Sequence, residues 1–311
     1  MSFCQDVKRE LCRLEPKKDC CRLAEVYAPL LCSRQFLQSG QVFATENKAV
    51  AARFAELMAG RTGTIVSLRT DYRRRKSREL LCAVCVDEPS VREQLAERLN
   101  LSSPELSAPM IDPLIVEQDC CVASFFRGLF LAYGQMTNPE KEYHLELSLP
   151  AGWASEPVLL LGRQAGLSLR LGKRKKISVL YLKEREQIED FLTFIGATHA
   201  TLQMMEIQIL KEMRGRVTRQ TNCETANLDK TVSASSVQIQ DIRYIEEHGG
   251  LQALPEDLRE IARLRLHNAD LSLRELSELM NPPLSRSGVN HRLRRISEFA
   301  EDLRRREENK E

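Results

Sequence analysis

The chain lacks a surplus of either charge, lacks a long apolar run and lacks a glycine-rich phosphate loop, and each absence removes a class of protein. Lys and Arg number 46 against 44 Asp and Glu, a formal net charge of +2 over 311 residues. That balance excludes a histone-like polycation or a uniformly basic coat for nucleic acid, so any anion-binding surface has to be local. No apolar run approaches the ~18–20 residues that span a bilayer, and Met1-Ser2-Phe3-Cys4-Gln5-Asp6 has none of the apolar stretch of a secretory leader. The expectation is a soluble, cytoplasmic protein without membrane contact. Neither a Gly-Lys-Ser/Thr phosphate loop nor a dinucleotide fingerprint occurs. What the chain does have is enough apolar residues to form cores, 42% against 29% charged, and a length of two or three modules.

An internal repeat comes first. Asp19-Cys20-Cys21 and Asp119-Cys120-Cys121 each lead an apolar helical stretch, Leu23 to Leu31 and Val122 to Ala132. After each, the pattern predicts a strand, a helix, and two strands around a basic turn. In the first half these fall near 18–34 (helix), 36–44 (strand), 46–59 (helix), 63–70 and 79–86 (strands) and 88–100 (helix). In the second half Tyr143, Leu145, Leu147 and Leu149 alternate as in a half-buried strand. A helix near 154–165, strands near 167–172 and 176–183, and a closing helix Glu184 to Ile195 follow. Beyond Ala197 a helix leads into Arg214 to Ser236, rich in Thr, Asn, Ser and charge, which is expected to be a junction. The predicted division is 1–110 and 111–212 for the repeats, 213–236 for the junction and 237–311 for an all-helical module.

That last module carries the most specific pattern. Ser272-Leu273-Arg274-Glu275 is a capping box, Leu273, Leu276 and Leu279 are expected on one helix face, and Asn281-Pro282-Pro283 ends the helix. Ser285 then offers an N-cap to a second helix, on which Val289, Leu293 and Ile296 share one side while Ser287, Asn290, His291, Arg294 and Arg295 occupy the other. Between Leu284 and Ile296 stand four arginines and no acid. Two short helices across a tight break, the second with an apolar stripe and an Arg/Asn face, are what a helix-turn-helix needs to read DNA. Asn290, His291, Arg294 and Arg295 would reach base edges, and Arg286 and Arg292 phosphates. A solvated basic face is the plainer alternative. Glu298 to Glu311 mixes both signs and is expected to fray.

Two cationic turns occupy the same place in each repeat: Arg73-Arg74-Arg75-Lys76-Ser77-Arg78 and Lys173-Arg174-Lys175-Lys176. Neutralising several phosphates would give them sequence-independent, salt-sensitive affinity for DNA; alone, either would only solubilise. Ten cysteines in a cytoplasmic chain are expected to be buried thiols. Cys82 and Cys85 fall three apart in a strand, and Cys20-Cys21 and Cys120-Cys121 have no partners at zinc-ligand spacing, so no metal and no cofactor are expected. Polar residues between Asn222 and Thr231 could cap helices, or contact DNA with Arg214, Arg216, Arg219 and Lys230.

The segments Leu14-Glu15-Pro16-Lys17-Lys18-Asp19-Cys20-Cys21, Asn222-Cys223-Glu224-Thr225-Ala226-Asn227-Leu228-Asp229-Lys230-Thr231, Asp241-Ile242-Arg243-Tyr244-Ile245-Glu246-Glu247-His248-Gly249-Gly250 and Pro282-Pro283-Leu284-Ser285-Arg286-Ser287-Gly288-Val289-Asn290-His291 resemble the WhiA family of bacterial sporulation and cell-division regulators over nearly the full length. The halves resemble the LAGLIDADG homing-endonuclease fold. The resemblance implies an α+β protein, a two-repeat LAGLIDADG-like N-terminal domain followed by an all-α helix-turn-helix domain. It implies a transcriptional regulator of Gram-positive bacteria that binds double-stranded DNA and acts in cell division, chromosome segregation and, in sporulating species, sporulation. A protein partner from the transcription machinery or a regulator would fit that role. Homing endonucleases place an acid at the base of each motif helix to hold divalent metal. Here Tyr133 stands at one such place and Ser33 at the other, with Arg34 replacing the final glycine, so the chain is expected not to be an enzyme. An architectural nucleoid protein and, less favoured, a residual nuclease dependent on Asp119 or Glu25 are the alternatives.

Overall fold

The structure is a computed structural model that describes residues 2–16, 18–33, 35–74, 77–101, 110–150, 154–175 and 177–308, and for 71–80 the backbone alone. It divides into two units, Met1–Leu210 and Lys211–Glu311.

The first unit opens with helices α1 (Phe3–Cys12) and α2 (Asp19–Cys32), a short turn α3 (Phe36–Ser39), strand β1 (Gln41–Thr45), helix α4 (Lys48–Thr62), strands β2 (Ser67–Arg74) and β3 (Ser77–Cys85), and helix α5 (Pro89–Arg98). The second repeat runs α6 (Asp119–Tyr133), β4 (Gly134–Met136), β5 (Leu145–Pro150), α7 (Ser155–Gln164), β6 (Arg170–Arg174), β7 (Ile177–Leu182) and α8 (Arg185–Ile195). The sheets are antiparallel, with orders β1-β3-β2 and β4-β5-β7-β6. Removing β4 leaves the same strand order in both, so the repeat seen in the sequence is a repeat of topology. The strand expected at 36–44 starts only at Gln41. Phe36–Ser39 is instead a helical turn that Gly40 ends at a φ of +76°, the left-handed conformation that glycine adopts without strain.

Helices α2 and α6 are the axis of this unit, nearly apolar all round because each is buried between its own sheet and the other helix. Tyr27, Phe125, Phe126, Phe130 and Phe191 are fully buried around them. The helix backbones meet at Gly128, where a Cβ would lie 2.1 Å from the carbonyl oxygen of Glu25. One polar cluster crosses this contact. Glu25 accepts from Nε and Nη2 of Arg53 on α4 and, at 3.0 Å, from Nε of Arg127 on α6. The remaining guanidinium nitrogens donate to carbonyls of Cys12 and Ile195, at 3.1 and 3.0 Å, and to Ser124 Oγ at 2.7 Å. Each buried donor is thereby satisfied, the condition under which a buried ion cluster is tolerated.

Helix α9 (Thr198–Gly249) begins in the first unit, where the Glu10 carboxylate accepts from the His199 and Ala200 amides at 2.8 and 2.9 Å, and continues into the second. The stretch 213–236, expected to be a junction, is helical throughout. Its Thr, Asn and Ser residues lower helix propensity by only tenths of a kcal/mol each, and Gly215 is its sole Gly or Pro. The second unit continues with a 3-10 turn (Leu251–Ala253), α10 (Glu256–His267), α11 (Leu273–Leu279) and α12 (Arg286–Glu308). Its core joins Ile242 and Ile245 of α9 to Leu258, Ile261, Leu276, Met280, Val289, Leu293, Ile296 and Ala300. Leu279 is exposed and Met280 buried, because the core-facing pair is spaced i, i+4 from Leu276. The expected fraying after Glu298 does not occur up to Glu308. Ala300 is buried, Arg304 pairs with Asp241 at 2.9 Å and lies 4.7 Å from the Tyr244 ring centre, and Tyr244 donates to Glu307.

Candidate nucleic-acid interface

In the second unit α11 and α12 meet across Met280 to Ser285, and each of the two helices is capped at its N-terminus. Ser272 accepts from the Glu275 amide at 3.3 Å while Glu275 accepts from the Ser272 amide at 2.7 Å, and Ser285 Oγ accepts from the Gly288 amide at 3.0 Å. The Ser285 contact fixes where α12 begins and points its positive dipole end outward. Ser285→Ala is expected to destabilise the second unit by about 1 kcal/mol and Ser285→Gly by only a few tenths, read as the shift of its unfolding midpoint.

Val289, Leu293 and Ile296 are buried as the periodicity requires, and Arg286, Ser287, Asn290, His291 and Arg294 are exposed. Arg292 and Arg295 flank the apolar stripe and are half-buried. Arg295 donates to Asp257 of α10 at 2.6 Å, and Arg294 to Glu298 at 3.1 Å. The acid-free stretch seen in the sequence is thus partly neutralised in three dimensions, by one acid from another helix and one a turn further along. Among the described residues, the side chains of Arg286 and Asn290 make no hydrogen bond or ion pair. They line a cavity of about 360 Å³ with Lys230 and Gln238 of α9, Arg265 of α10 and Arg274 of α11. Lys230, set apart in the sequence by more than fifty residues, is thereby brought beside the start of α12. Within the cavity lining, Gln238 Oε1 and Arg265 Nε have no hydrogen-bond partner among the described residues, and burial lowers the pKa of Arg265. Cationic side chains around a helix N-terminus form an anion-receptive surface.

The basic turns lie at the β2–β3 and β6–β7 connections, equivalent in the two sheets. Lys173, Arg174 and Lys175 are exposed, and Arg174 pairs with Glu146 at 3.1 Å. Arg75, Lys76, Lys176 and Arg34 lie outside the described residues, and for Arg73, Arg74 and Arg78 the backbone alone is described.

At the two places where a homing endonuclease carries acids, both hydroxyls donate to backbone carbonyls. Ser33 Oγ reaches Gln41 O at 2.7 Å, and the Tyr133 hydroxyl reaches Val42 O at 3.1 Å and Pro29 O at 3.3 Å. Burial holds the Tyr133 phenol well above its ordinary range, so it stays a neutral donor. Glu25 is enclosed by two guanidiniums, and Asp119 lies in the first turn of α6. Cys82 and Cys85 are buried thiols. Cys20, by contrast, is exposed and Cys120 half-buried, which corrects the expectation that these two pairs pack wholly in a core.

Two antiparallel sheets related by a repeat about paired central helices, followed by a capped helix-turn-helix, define a LAGLIDADG-like protein with a helical C-terminal region. The profile of the WhiA C-terminal HTH domain matches residues 217–300 and that of the WhiA LAGLIDADG-like domain residues 122–214. The chain is 40% identical to the "Probable cell division protein WhiA" of Ruminiclostridium cellulolyticum, over 98% of this chain and 99% of that one. It is 41% identical to the protein of the same name from a Geobacillus species, over 98% and 97%. Among solved structures it is similar to full-length DUF199/WhiA from Thermatoga maritima, at 27% identity and a TM-score of 0.53 over 97% of this chain and 99% of that one. The chain belongs to the WhiA family. Among the described residues no helix is long and apolar enough to cross a membrane.

Proposed function

We propose that the chain is a non-catalytic, sequence-specific DNA-binding regulator of transcription that acts in cell division, with chromosome segregation and sporulation as further processes under its control. The observation that carries this is the exposed first turns of α12, where Arg286, Ser287, Asn290 and His291 surround a capped helix start while the opposite side is buried. A helix held this way presents its N-terminal residues to the major groove. Asn290 and His291 then read base edges, and Arg286, Arg292 and Lys230 engage phosphates. Arg294 remains free to do so as well, since an exposed i, i+4 pair holds it by less than about 1 kcal/mol. Arg295, tied to Asp257, sets the orientation of α12. The protein would work in the cytoplasm on the nucleoid, alongside a partner from the transcription machinery.

Exposed Lys173 and Lys175 support a second, architectural mode in which the first unit adds contacts to the backbone of DNA. One titration separates the two. The full chain is expected to bind duplexes enriched from its own genome, and Lys173→Ala with Lys175→Ala should lower the salt slope by up to about 2 without changing sequence preference. A chain that ignores such duplexes at low ionic strength would overturn the reading. Supercoiled plasmid with Mg²⁺ or Mn²⁺ is expected to stay uncut, since hydroxyls that donate to carbonyls supply no anionic metal ligand; nicking lost on Asp119→Asn would overturn the non-catalytic assignment.

A further inference from the structure

Cys20 and Cys21 lie in the first turn of α2, and Cys120 and Cys121 in the first turn of α6. Among the described residues, neither pair has a third ligand within its own repeat. Because the repeats place equivalent turns at the same end of the α2–α6 contact, the pairs converge, and all four sulfurs lie within 4.8 Å of one another. Zinc bound by four thiolates at about 2.3 Å needs sulfurs about 3.8 Å apart. The separations therefore exceed the edge of a zinc tetrahedron by no more than about 1 Å, a contraction that side-chain rotation can supply.

Three further features suit an ion rather than packed thiols. Cys21 and Cys121 are buried, while Cys120 is half-buried and Cys20 exposed, so the cluster has a dry floor and an open approach. Two helix N-termini face it, and their partial positive charges offset the surplus negative charge of four thiolates around one divalent cation. Beside it, Ser124 donates to Cys120 O at 2.8 Å and is itself held by Arg127 at 2.7 Å, which fixes the backbone of the α6 turn that carries Cys120 and Cys121. Among the described residues the group within mutual reach holds these four cysteines and no carboxylate, so sulfur alone makes up the donor set. Soft donors in tetrahedral array select zinc over magnesium, calcium or manganese.

We propose that Cys20, Cys21, Cys120 and Cys121 bind one Zn²⁺ as a tetrathiolate that clamps the N-terminal ends of α2 and α6 and so joins the two repeats. The site is at the opposite ends of these helices from Ser33 and Tyr133, about 20 Å away at 1.5 Å per residue. It is thus separate from the place where an endonuclease holds metal. Binding releases protons from the thiols and stabilises the folded first unit, because the unfolded chain does not bring the pairs together.

The test is a Co²⁺ titration of the full-length chain, purified under reductant without a chelating tag. Saturation at one equivalent is expected, with the sulfur-to-cobalt charge transfer and intense visible bands of a tetrahedral tetrathiolate, and Zn²⁺ should displace them. Cys20→Ser, at an exposed position that leaves the core intact, should weaken cobalt binding more than ~10-fold. Cys20→Ser with Cys121→Ser should abolish the spectrum and the rise in melting midpoint that Zn²⁺ gives the parent, whereas Cys223→Ser, in the second unit, should leave both unchanged. A weak octahedral spectrum, a signal indifferent to Cys20, or an iron–sulfur chromophore in the isolated protein would overturn the zinc assignment.

Discussion

Arg286→Ala combined with Asn290→Ala is expected to weaken binding of the full chain to its enriched genomic duplexes by ~100-fold or more, while the melting midpoint stays unchanged. Base-edge pairs contribute about 1–3 kcal/mol each, and a lost phosphate contact lowers affinity across all sequences and the salt slope by about 1. Both side chains are exposed, with no hydrogen bond or ion pair among the described residues, so their removal takes nothing from the fold. Fluorescence anisotropy with matched and scrambled duplexes checks this. Asn290→Ala should reduce discrimination between the two, and Arg286→Ala should reduce affinity for both alike. Undiminished affinity in the double variant would remove α12 from the interface. Arg295→Ala should behave differently, releasing Asp257 and changing melting by less than about 1 kcal/mol, since that pair is 40% and 43% exposed.

The second large effect is expected at Glu25. Its carboxylate is 3% exposed and is shared by Arg53 and Arg127, whose side chains are 9% and 11% exposed. Glu25→Ala leaves two guanidiniums buried without a counter-charge, which costs about 3–5 kcal/mol where one member of a buried cluster is removed. The transition of the first unit in calorimetry should fall sharply or vanish, with that of the second unit retained. Glu25→Gln keeps the shape and loses the charge, so it should be nearly as damaging. A variant with all three positions apolar and of matched volume should recover much of the loss, because removing every charge also removes the desolvation cost. A mild effect of Glu25→Ala alone would mean that water reaches the cluster.

Much of this was legible in the chain. The spacing of Val289, Leu293 and Ile296 set the buried side of α12, and Ser272 and Ser285 announced the helix starts, because caps and periodicity are local properties. The doubled Asp-Cys-Cys pattern announced the repeat for the same reason. The polar stretch 213–236 is helical, since a composition rich in Thr, Asn and Ser, with a single glycine and no proline, does not break a helix. The tail after Glu298 misled: mixed charge suggests solvent, and the chain alone cannot say that Asp241 and Tyr244 stand where Arg304 and Glu307 arrive.

What the sequence by itself determined is therefore the inventory and its local order: two repeats, a capped helix pair, and hydroxyls where acids would cut. What only the tertiary structure decided is which groups meet at long range. It placed Asp257 on Arg295, Lys230 beside Arg286, Arg127 on Glu25 and the two cysteine pairs within reach of one another. The physical reason is that charge neutralisation and metal ligation depend on distances of a few ångströms, and separation along the chain says nothing of those until helices have packed.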